Sequence, residues 1–242
     1  MDYFYLFIVS FFSNLFSAFS GGGAGIIQLP AILLLFEITF PVALATHKIS
    51  TVLLGIGASL KFFEKDRPNK KLILDGILIG LPAVIIGAYS ISYIDEAIAR
   101  KLLGGLILIV FILSFTKSIE KINDGSYSTV QYILLFIIGF LNGSLSAGTG
   151  LLYTLMLTKI YGMDFKTAVG YTLLIVGLFF NLVGAITLYL ISNIDISILP
   201  ILLIGSFIGG YVGAMFAISK SNRIIKIAYQ FVTLIVAYKL LF

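Results

Sequence analysis

The sequence predicts an all-α polytopic membrane protein: an inverted-topology repeat of two five-segment halves, each with a glycine-broken helical hairpin. Composition, an internal repeat and the placement of basic loops support this fold class. Of the 242 residues, 60% are hydrophobic and only 11% are charged, whereas an ordinary soluble domain is about 25% charged. A bilayer-spanning helix needs about 20 apolar residues. Long runs without Asp, Glu, Lys or Arg supply several such helices, at 3–36, 76–94, 125–158, 167–194 and 196–219.

Composition also excludes several classes of site. The chain has no cysteine and a single histidine, His47, so a disulfide framework, a thiolate nucleophile, a zinc–thiolate site and a three-histidine metal site are all excluded. The net charge of +5 comes without a basic cluster interleaved with solvent-facing aromatic residues, which argues against nucleic acid as a partner. We therefore predict no catalytic residue, no metal and no cofactor.

The second half of the chain repeats the first at an offset of 125 residues. The matches keep their order, from Gly25 and Gly150 to ILDGILIG at 73–80 and ILPILLIG at 198–205. Such self-similarity indicates a duplicated structural unit. The predicted organisation is a first transmembrane repeat at 1–118, a cytoplasmic linker at 119–128, and a second, inverted transmembrane repeat at 129–242.

Each half contains five apolar segments, and five is an odd number, so the two halves should have opposite orientations in the membrane. Loop charge agrees, because the loop 64–71 carries four Lys or Arg residues and its partner, 192–195, carries none. Cytoplasmic loops are enriched in Lys and Arg. This places 64–71 inside and both termini outside. The segments are predicted at 3–19, 25–36, 41–63, 71–91 and 97–116, and at 129–146, 150–161, 166–191, 196–218 and 224–241.

The second segment of each half is too short to cross a bilayer, since 12 residues form about 18 Å of helix against about 30 Å of hydrocarbon. A glycine-rich break precedes each segment, at 20–25 and at 144–150. We expect two hairpins whose tips lie near the midplane, where free N–H groups at a helix N-terminus can bind an anion. The alternative is tight helix packing by small residues. The candidate substrate-binding residues here are Gly22, Gly23, Ala24, Gly25, Gly148, Thr149 and Gly150.

The third segment carries an adjacent ionisable pair, His47 and Lys48, preceded by Thr46. Lys48 lies seven residues past Pro41, about 10 Å into the membrane, and ionisable groups at such depth are functional candidates. All three residues are candidates for substrate binding. His47 is the candidate for proton coupling, because imidazole changes charge near neutral pH. The alternative is that Lys48 extends to the outer interface and His47 is a packing residue.

Other polar residues lie within the apolar segments. In the second half, Tyr171 and Thr172 match Thr46 and His47 and complete the candidate binding set, together with Gln28. Polar side chains of this kind either line a path or bond another helix, and we favour helix bonding for the group Asn14, Gln28, Asn142, Tyr153 and Asn181. The spacing of Gly205, Gly209 and Gly213 predicts a helix-packing stripe.

The glycine run at 21–25 is followed by Pro30 and then by the Ala-Thr segment at 41–46, and a weaker copy occurs at 148–150 and 168–172. This pattern resembles the TauE/SafE sulfite-exporter family, also known as sulfonate uptake and export permeases, over essentially the whole chain. The resemblance implies a multi-pass transporter in a prokaryotic inner membrane. It also implies that sulfite, or a sulfur-containing organic anion such as a sulfonate, is the substrate.

The leading hypothesis is therefore a secondary transporter of a small anion, proton-coupled through His47, with alternating access around a midplane site. A passive anion channel is the nearest alternative, and it predicts flux that a proton gradient does not change. A structural partner subunit would show no stabilisation by any anion, and a membrane enzyme lacks a plausible catalytic pair. The expected partners are the anionic substrate and the lipid bilayer, and the oligomeric state is left open, with a homodimer among the alternatives.

Overall fold

The computed structural model describes residues 1–91, 96–116 and 129–241, and within these ranges it contains helices and no strands. Five of the described helices are long and apolar enough to cross a membrane. The first five helices are α1 Asp2–Ser20, α2 Ala24–Leu35, α3 Phe40–Phe62, α4 Lys70–Ser90 and α5 Glu96–Leu113. The second five are α6 Thr129–Leu145, α7 Thr149–Lys159, α8 Phe165–Ile191, α9 Leu199–Ser219 and α10 Asn222–Leu241.

The ten predicted segments are confirmed, and their ends agree with the helices to within three residues. Local chemistry explains several of these ends. The side chain of Asn69 accepts from the N–H of Lys71 at 2.9 Å and so begins α4, and Asp164 accepts from the N–H of Thr167 at 3.1 Å and begins α8. Side chains of this type at the N-cap satisfy backbone donors that no helical carbonyl can reach. The predicted linker 119–128 lies outside the described residues.

Two of the five pairs of corresponding helices keep the sequence offset in the structure. Helices α2 and α7 begin at positions that differ by the offset of 125, and so do α3 and α8. The breaks before the short helices also correspond. Gly21 and Ser146 share positive φ angles of 88° and 60°, and Gly23 and Gly148 share values of 109° and 76°. Equivalent residues of the two halves therefore take the same unusual backbone conformation.

Helices of one half pack mainly on helices of the other half. Helix α1 lies against α9, and the equivalent helix α6 lies against α4. The fifth helices, α5 and α10, pack on each other, and so do the third helices, α3 and α8. This reciprocal pattern is what a two-fold relation between the halves produces. Their opposite orientation in the membrane stays a prediction.

Small residues let these helices approach closely, as the glycine stripes predict. A Cβ atom at Gly209 would lie 2.4 Å from the carbonyl oxygen of Phe11 in α1. At the equivalent contact, a Cβ atom at Gly143 of α6 would lie 2.1 Å from the carbonyl oxygen of Val84 in α4. Both distances are shorter than any tolerated contact, so the packing interpretation holds for these two helix pairs.

The third helices cross at the centre of the molecule. A Cβ atom at Gly55 of α3 would lie 2.5 Å from the backbone nitrogen of Leu178 in α8. At this level α8 changes from α-helix to a π-helical segment, Leu173–Phe180, and then returns to α-helix at Asn181. Segments of π-helix are rare and are often found at functional sites. The crossing positions the residues of α3 and α8 beside the two glycine breaks.

Candidate functional site

The candidate site is built around the two breaks, residues 21–23 between α1 and α2 and residues 146–148 between α6 and α7, which we call the tips. Gly23 is the N-cap of α2 and Gly148 is the N-cap of α7, both with left-handed backbone angles. Glycine adopts this conformation without the steric cost that a side chain brings. The chain can therefore end one helix and begin the next within three residues.

The first tip packs on the start of α7, and Ala147 of the second tip lies beside α2, where a Cβ atom at Gly25 would lie 3.5 Å from Ala147 Cα. A Cβ atom at Gly22 would lie 2.8 Å from the backbone nitrogen of Leu151 and 3.0 Å from the carbonyl carbon of Gly150. The hydroxyl of Thr154 donates to the carbonyl oxygen of Gly21 at 3.1 Å. The structure thus brings the two predicted tips together.

The two half-helices begin without side-chain caps. No side chain of the described residues bonds the first N–H groups of α2 or α7, whereas Asn69 and Asp164 cap α4 and α8. The first N–H groups of a helix have no acceptor within the helix, and they carry a partial positive charge. At the starts of α2 and α7 these donors have no side-chain acceptor, so a ligand between the half-helices could accept from them.

A cavity of about 40 Å³ lies between the tips. Its volume is enough for water or for a small ion whose binding expands it slightly. Nine of the thirteen predicted binding residues line it, namely Gly22, Gly23, Ala24, Gly25, His47, Gly148, Thr149, Gly150 and Thr172. The lining also contains polar residues that the sequence did not assign to the site, namely Ser17, Thr51, Asn142, Ser146 and Asn181. We call this space the tip cavity.

His47 is buried and faces the tip cavity with one ring nitrogen. Its Nδ1 lies 2.7 Å from Gln28 Oε1. The same oxygen accepts from Ser50 at 3.1 Å, while Gln28 Nε2 donates to Ser10 at 2.8 Å. With the Gln28 oxygen acting as acceptor, His47 Nδ1 must be the donor. Nε2 then faces Gly25, where a Cβ atom would lie 3.1 Å away.

Gln28 does not line the tip cavity but holds His47 from behind. Its amide nitrogen also lies 3.2 Å from the hydroxyl of Ser206 in α9, which accepts from Asn14 of α1 at 2.9 Å. These bonds join three helices. The interpretation of Asn14 and Gln28 as helix-bonding residues therefore agrees with the structure, and Gln28 positions a cavity residue in addition.

Lys48 is fully buried and does not extend to an interface. Its ammonium donates to the carbonyl oxygen of Asn142 at 2.6 Å, to Asn142 Oδ1 at 3.1 Å and to Asn181 Oδ1 at 3.3 Å. Its stem passes Gly184, where a Cβ atom would lie 3.1 Å from Lys48 Cδ. No carboxylate of the described residues forms an ion pair with it. Lys48 therefore lies one layer behind the tip cavity, with two asparagines between.

The two asparagines connect Lys48 to the tip of α7. Asn142 Nδ2 donates to the hydroxyl of Thr149 at 3.1 Å and to Asn181 Oδ1 at 3.2 Å. The Lys48 ammonium donates to the side-chain oxygens of both asparagines and so polarises their amide groups, which line the cavity. The sequence had marked Asn142 and Asn181 as polar residues in apolar segments, and that signal is the one that could have found them.

Two predicted site residues lie away from the tip cavity, at equivalent positions of the two halves. The hydroxyl of Thr46 accepts from the N–H of Asp195 at 3.0 Å, and the hydroxyl of Tyr171 accepts from the N–H of Asn69 at 2.7 Å. Each residue therefore binds the loop between the third and fourth helices of the other half. Thr172, the next residue, does line the cavity and lies 2.8 Å from the hydroxyl of Thr154.

The arrangement can bind an anion through hydrogen-bond donors. It combines two uncapped helix N-termini with a nearby buried ammonium, and His47 Nε2 becomes a further donor when it is protonated. Within the part of the chain that the structure describes, no group of three or more His, Asp or Glu side chains is placed to hold a metal ion.

Comparisons with known proteins agree with one another. A family model described as sulfite exporter TauE/SafE matches residues 6–240. A probable membrane transporter protein, ORF9, from Sinorhizobium sp. is 25% identical over 98% of this chain and 91% of its own length. A probable membrane transporter protein of Haemophilus influenzae is 28% identical over 91% and 87%, and YfcA of Escherichia coli K12 is 23% identical over 98% and 88%. No solved structure matches the chain.

Proposed function

Because this chain belongs to the TauE/SafE sulfite exporter family, we propose that it is a secondary transporter that carries sulfite or an organosulfonate through the tip cavity. It is a multi-pass membrane transporter by family and by the apolar helices of its fold. Membership of a transporter family also implies a role other than catalysis. We place the protein in the inner membrane of a prokaryotic cell, with both termini outside.

The observation that carries this proposal is the buried, unpaired charge of Lys48 behind two uncapped half-helices. An ionised group in a low-dielectric interior is costly unless an opposite charge compensates it. Among the described residues the partners of the Lys48 ammonium are neutral oxygens. An anion in the tip cavity would supply the missing negative charge.

A sulfonate or sulfite group suits the kind of donor that the tip cavity offers. Its oxygens are hydrogen-bond acceptors, and the first residues of α2 and α7, which have no side-chain cap, line the cavity. The hydroxyls of Thr149 and Thr172 also line this space, but they donate to the carbonyl oxygens of Ser146 and Ala168. The cavity volume of about 40 Å³ favours a small anion over a bulky one.

His47 couples a proton to the anion in this proposal. Its Nδ1 donates to Gln28, so Nε2 is the atom that gains and loses a proton beside the tip cavity. Protonated, Nε2 becomes both a donor and a positive charge next to Lys48, which an anion in the cavity stabilises. By linkage, the proton then raises the affinity for the anion by the same factor as the anion raises it for the proton.

Flux measurements on purified protein in proteoliposomes test the proposal. We expect sulfite, thiosulfate or taurine to raise the thermal stability in detergent, and an imposed pH gradient to accelerate sulfite flux. His47→Gln should leave flux that no longer responds to the gradient, while Thr172→Val, at the equivalent position of the other half, should keep the response.

Three outcomes would contradict parts of the proposal. Stabilisation by acetate alone would overturn the sulfur-oxyanion substrate. Wild-type flux that ignores the pH gradient would favour the passive channel. An absence of stabilisation and flux with every anion would favour a partner subunit.

A further inference from the structure

A second, larger cavity lies at the end of α3, where the chain turns toward α4. Its volume is about 430 Å³, roughly ten times that of the tip cavity. Four basic side chains and two acidic ones line it, namely Lys61, Lys65, Arg67 and Lys166, with Glu64 and Asp66. We call this space the vestibule, and it lies on the side of the molecule that the basic loop predicts to be cytoplasmic.

The charges of the vestibule do not cancel. Glu64 pairs with Lys61 at 2.5 Å, and the hydrogen bond from Lys61 lowers the pKa of the Glu64 carboxyl, so that pair is ionised and internally neutral. Lys166 donates to the carbonyl oxygen of Ile218 at 2.9 Å, which leaves its charge uncompensated. Lys65 and Arg67 form no ion pair with any described residue. With Asp66 as the remaining acid, a net charge of about +2 faces the vestibule.

The vestibule and the tip cavity are neighbours along α8. Gly170 and Tyr171 line the vestibule, while Thr172, the following residue, lines the tip cavity. Aromatic rings separate the two spaces. A Cβ atom at Gly170 would lie 3.2 Å from the ring of Phe62, and the rings of Phe63 and Tyr171 meet edge to face with centroids 5.3 Å apart. Consecutive residues of α8 therefore line the two spaces, with these rings packed beside the vestibule.

The equivalent place in the other half has the opposite charge. There Thr46 takes the position of Tyr171 and binds the loop before α9 through the N–H of Asp195. That loop, 192–198, contains Asp195 and no Lys or Arg. Charge is therefore a property that distinguishes the two places.

We propose that the vestibule is a second anion-binding site, which takes up a small sulfonate-class oxyanion and passes it to the tip cavity. The nature of the anion rests on the proposed function, whereas the existence of the site rests on the cavity and its charges. A site of this kind raises the local concentration of anion on one side only. The two sides of the transporter then differ in apparent KM, with the lower value on the vestibule side.

Lysine footprinting tests the site without using transport. The purified protein is acetylated at increasing methanesulfonate concentrations, with gluconate at equal ionic strength as the control, and each lysine is quantified by mass spectrometry. We expect saturable protection of Lys65 and Lys166, by at least about threefold. Lys70, which is exposed and outside the vestibule, should react at an unchanged rate. Equal protection of all three lysines, or protection of none, overturns the proposal.

Sided flux in proteoliposomes gives the second test. Lys65→Gln combined with Arg67→Gln should raise the apparent KM for sulfite on the vestibule side roughly fivefold at low salt and leave kcat unchanged. The matched control, Lys70→Gln with Lys71→Gln, removes the same charge from the same face and should change KM less than about twofold. Equal effects of the two double variants overturn the proposal. If the wild-type protein carries no anion, the proposed function fails. Footprinting still shows whether the vestibule binds an anion.

Discussion

The third helices of the two halves, α3 and α8, occupy equivalent positions and carry different chemistry. His47 and Lys48 of α3 correspond, at the offset of 125, to Thr172 and Leu173 of α8. Both helices line the tip cavity, where α3 supplies the ionisable side chain of His47 and α8 supplies none. The comparison shows that corresponding positions of the two halves contribute to one cavity, while one half alone supplies the ionisable groups in and behind it.

Helix α8 instead contributes Asn181, whose side-chain oxygen accepts a hydrogen bond from the Lys48 ammonium. Asn181, which accepts from Lys48, follows the π-helical segment Leu173–Phe180 directly. A π-helix has more residues in each turn than an α-helix, which changes the direction in which the following side chains face. α3 remains a regular helix over Phe40–Phe62. One helix therefore carries the ammonium and the other is distorted at the level where that ammonium is bound.

The largest expected effect is that of removing the charge from α3. Lys48→Met keeps most of the side-chain volume but leaves no positive charge behind the tips, so sulfite flux should fall at least about 100-fold. The protein should still fold, because replacing a buried ion with an apolar side chain of similar size is often neutral for stability.

Leu173→Met, at the equivalent position of α8, is the matched control and should keep wild-type flux. Flux is measured in proteoliposomes, and folding by size-exclusion profile and thermal unfolding. Normal flux in Lys48→Met would show that the charge has no part in transport and would remove Lys48 from the site.

Alanine at the equivalent glycines Gly25 and Gly150, in the first turns of α2 and α7, should reduce flux at one position and stability at the other. At Gly25 the new methyl group meets His47 Nε2 at 3.1 Å and backbone atoms only at 3.5 Å, so Gly25→Ala should reduce flux about tenfold with little loss of stability. At Gly150 it meets the carbonyl oxygen of Gly21 at 3.0 Å and Gly22 Cα at 3.1 Å. Gly150→Ala should therefore lower the free energy of unfolding by about 1–3 kcal/mol. Thermal unfolding and flux are measured for both variants. Equal losses of flux and of stability in the two variants would contradict the predicted difference.

A smaller effect is expected where α8 makes room for Lys48. A Cβ atom at Gly184 would lie 3.1–3.3 Å from the last atoms of the Lys48 side chain, which must then shift by a few tenths of an ångström. Gly184→Ala should lower flux about threefold. Ser59→Ala, at the equivalent position of α3, should have no effect, since the buried Ser59 hydroxyl has no hydrogen-bond partner within the described structure. A larger loss in Ser59→Ala than in Gly184→Ala would contradict this placement.

The smallest effects are expected at Thr46 and Tyr171, two of the four predicted site residues that lie outside the tip cavity. Thr46→Val and Tyr171→Phe each remove the acceptor of one loop N–H group, which should cost about 0.5–1.5 kcal/mol of stability. Sulfite flux should stay within about threefold of the wild type. A complete loss of flux with normal stability would return either residue to the binding set.

Much of the fold could be predicted because the local signals are strong. Uncharged runs define the helices, and Asn69 and Asp164 mark the starts of two of them by their capping chemistry. The glycine breaks mark the tips in the same way. The pairing of helices could not be predicted, because apolar faces of similar composition fit many neighbours. That α1 packs on α9 depends on details such as the approach of Gly209 to Phe11.

The parts of the candidate site that the backbone determines could be predicted from the sequence. The parts that depend on the direction of a long side chain could not. The tip glycines and His47 line the cavity as expected, because a break and an adjacent ionisable residue are visible in the sequence. The direction of a lysine side chain is not, and Lys48 reaches Asn142 and Asn181 instead of the cavity. The π-helical distortion of α8 has no signature in a run of apolar residues, so the sequence did not reveal it.

The reciprocal packing of the halves has a consequence for biosynthesis. Ser10 of α1 bonds the carbonyl oxygen of Leu202 and the hydroxyl of Ser206, 192 and 196 positions later in the chain. At about 5–20 residues per second, the ribosome needs roughly 10–40 s to make that partner. During this interval α1 resides in lipid with a polar edge that α9 has not yet covered, at a cost in free energy. A chain that stops before the fourth helix of the second half therefore leaves Ser10 without its partners in α9.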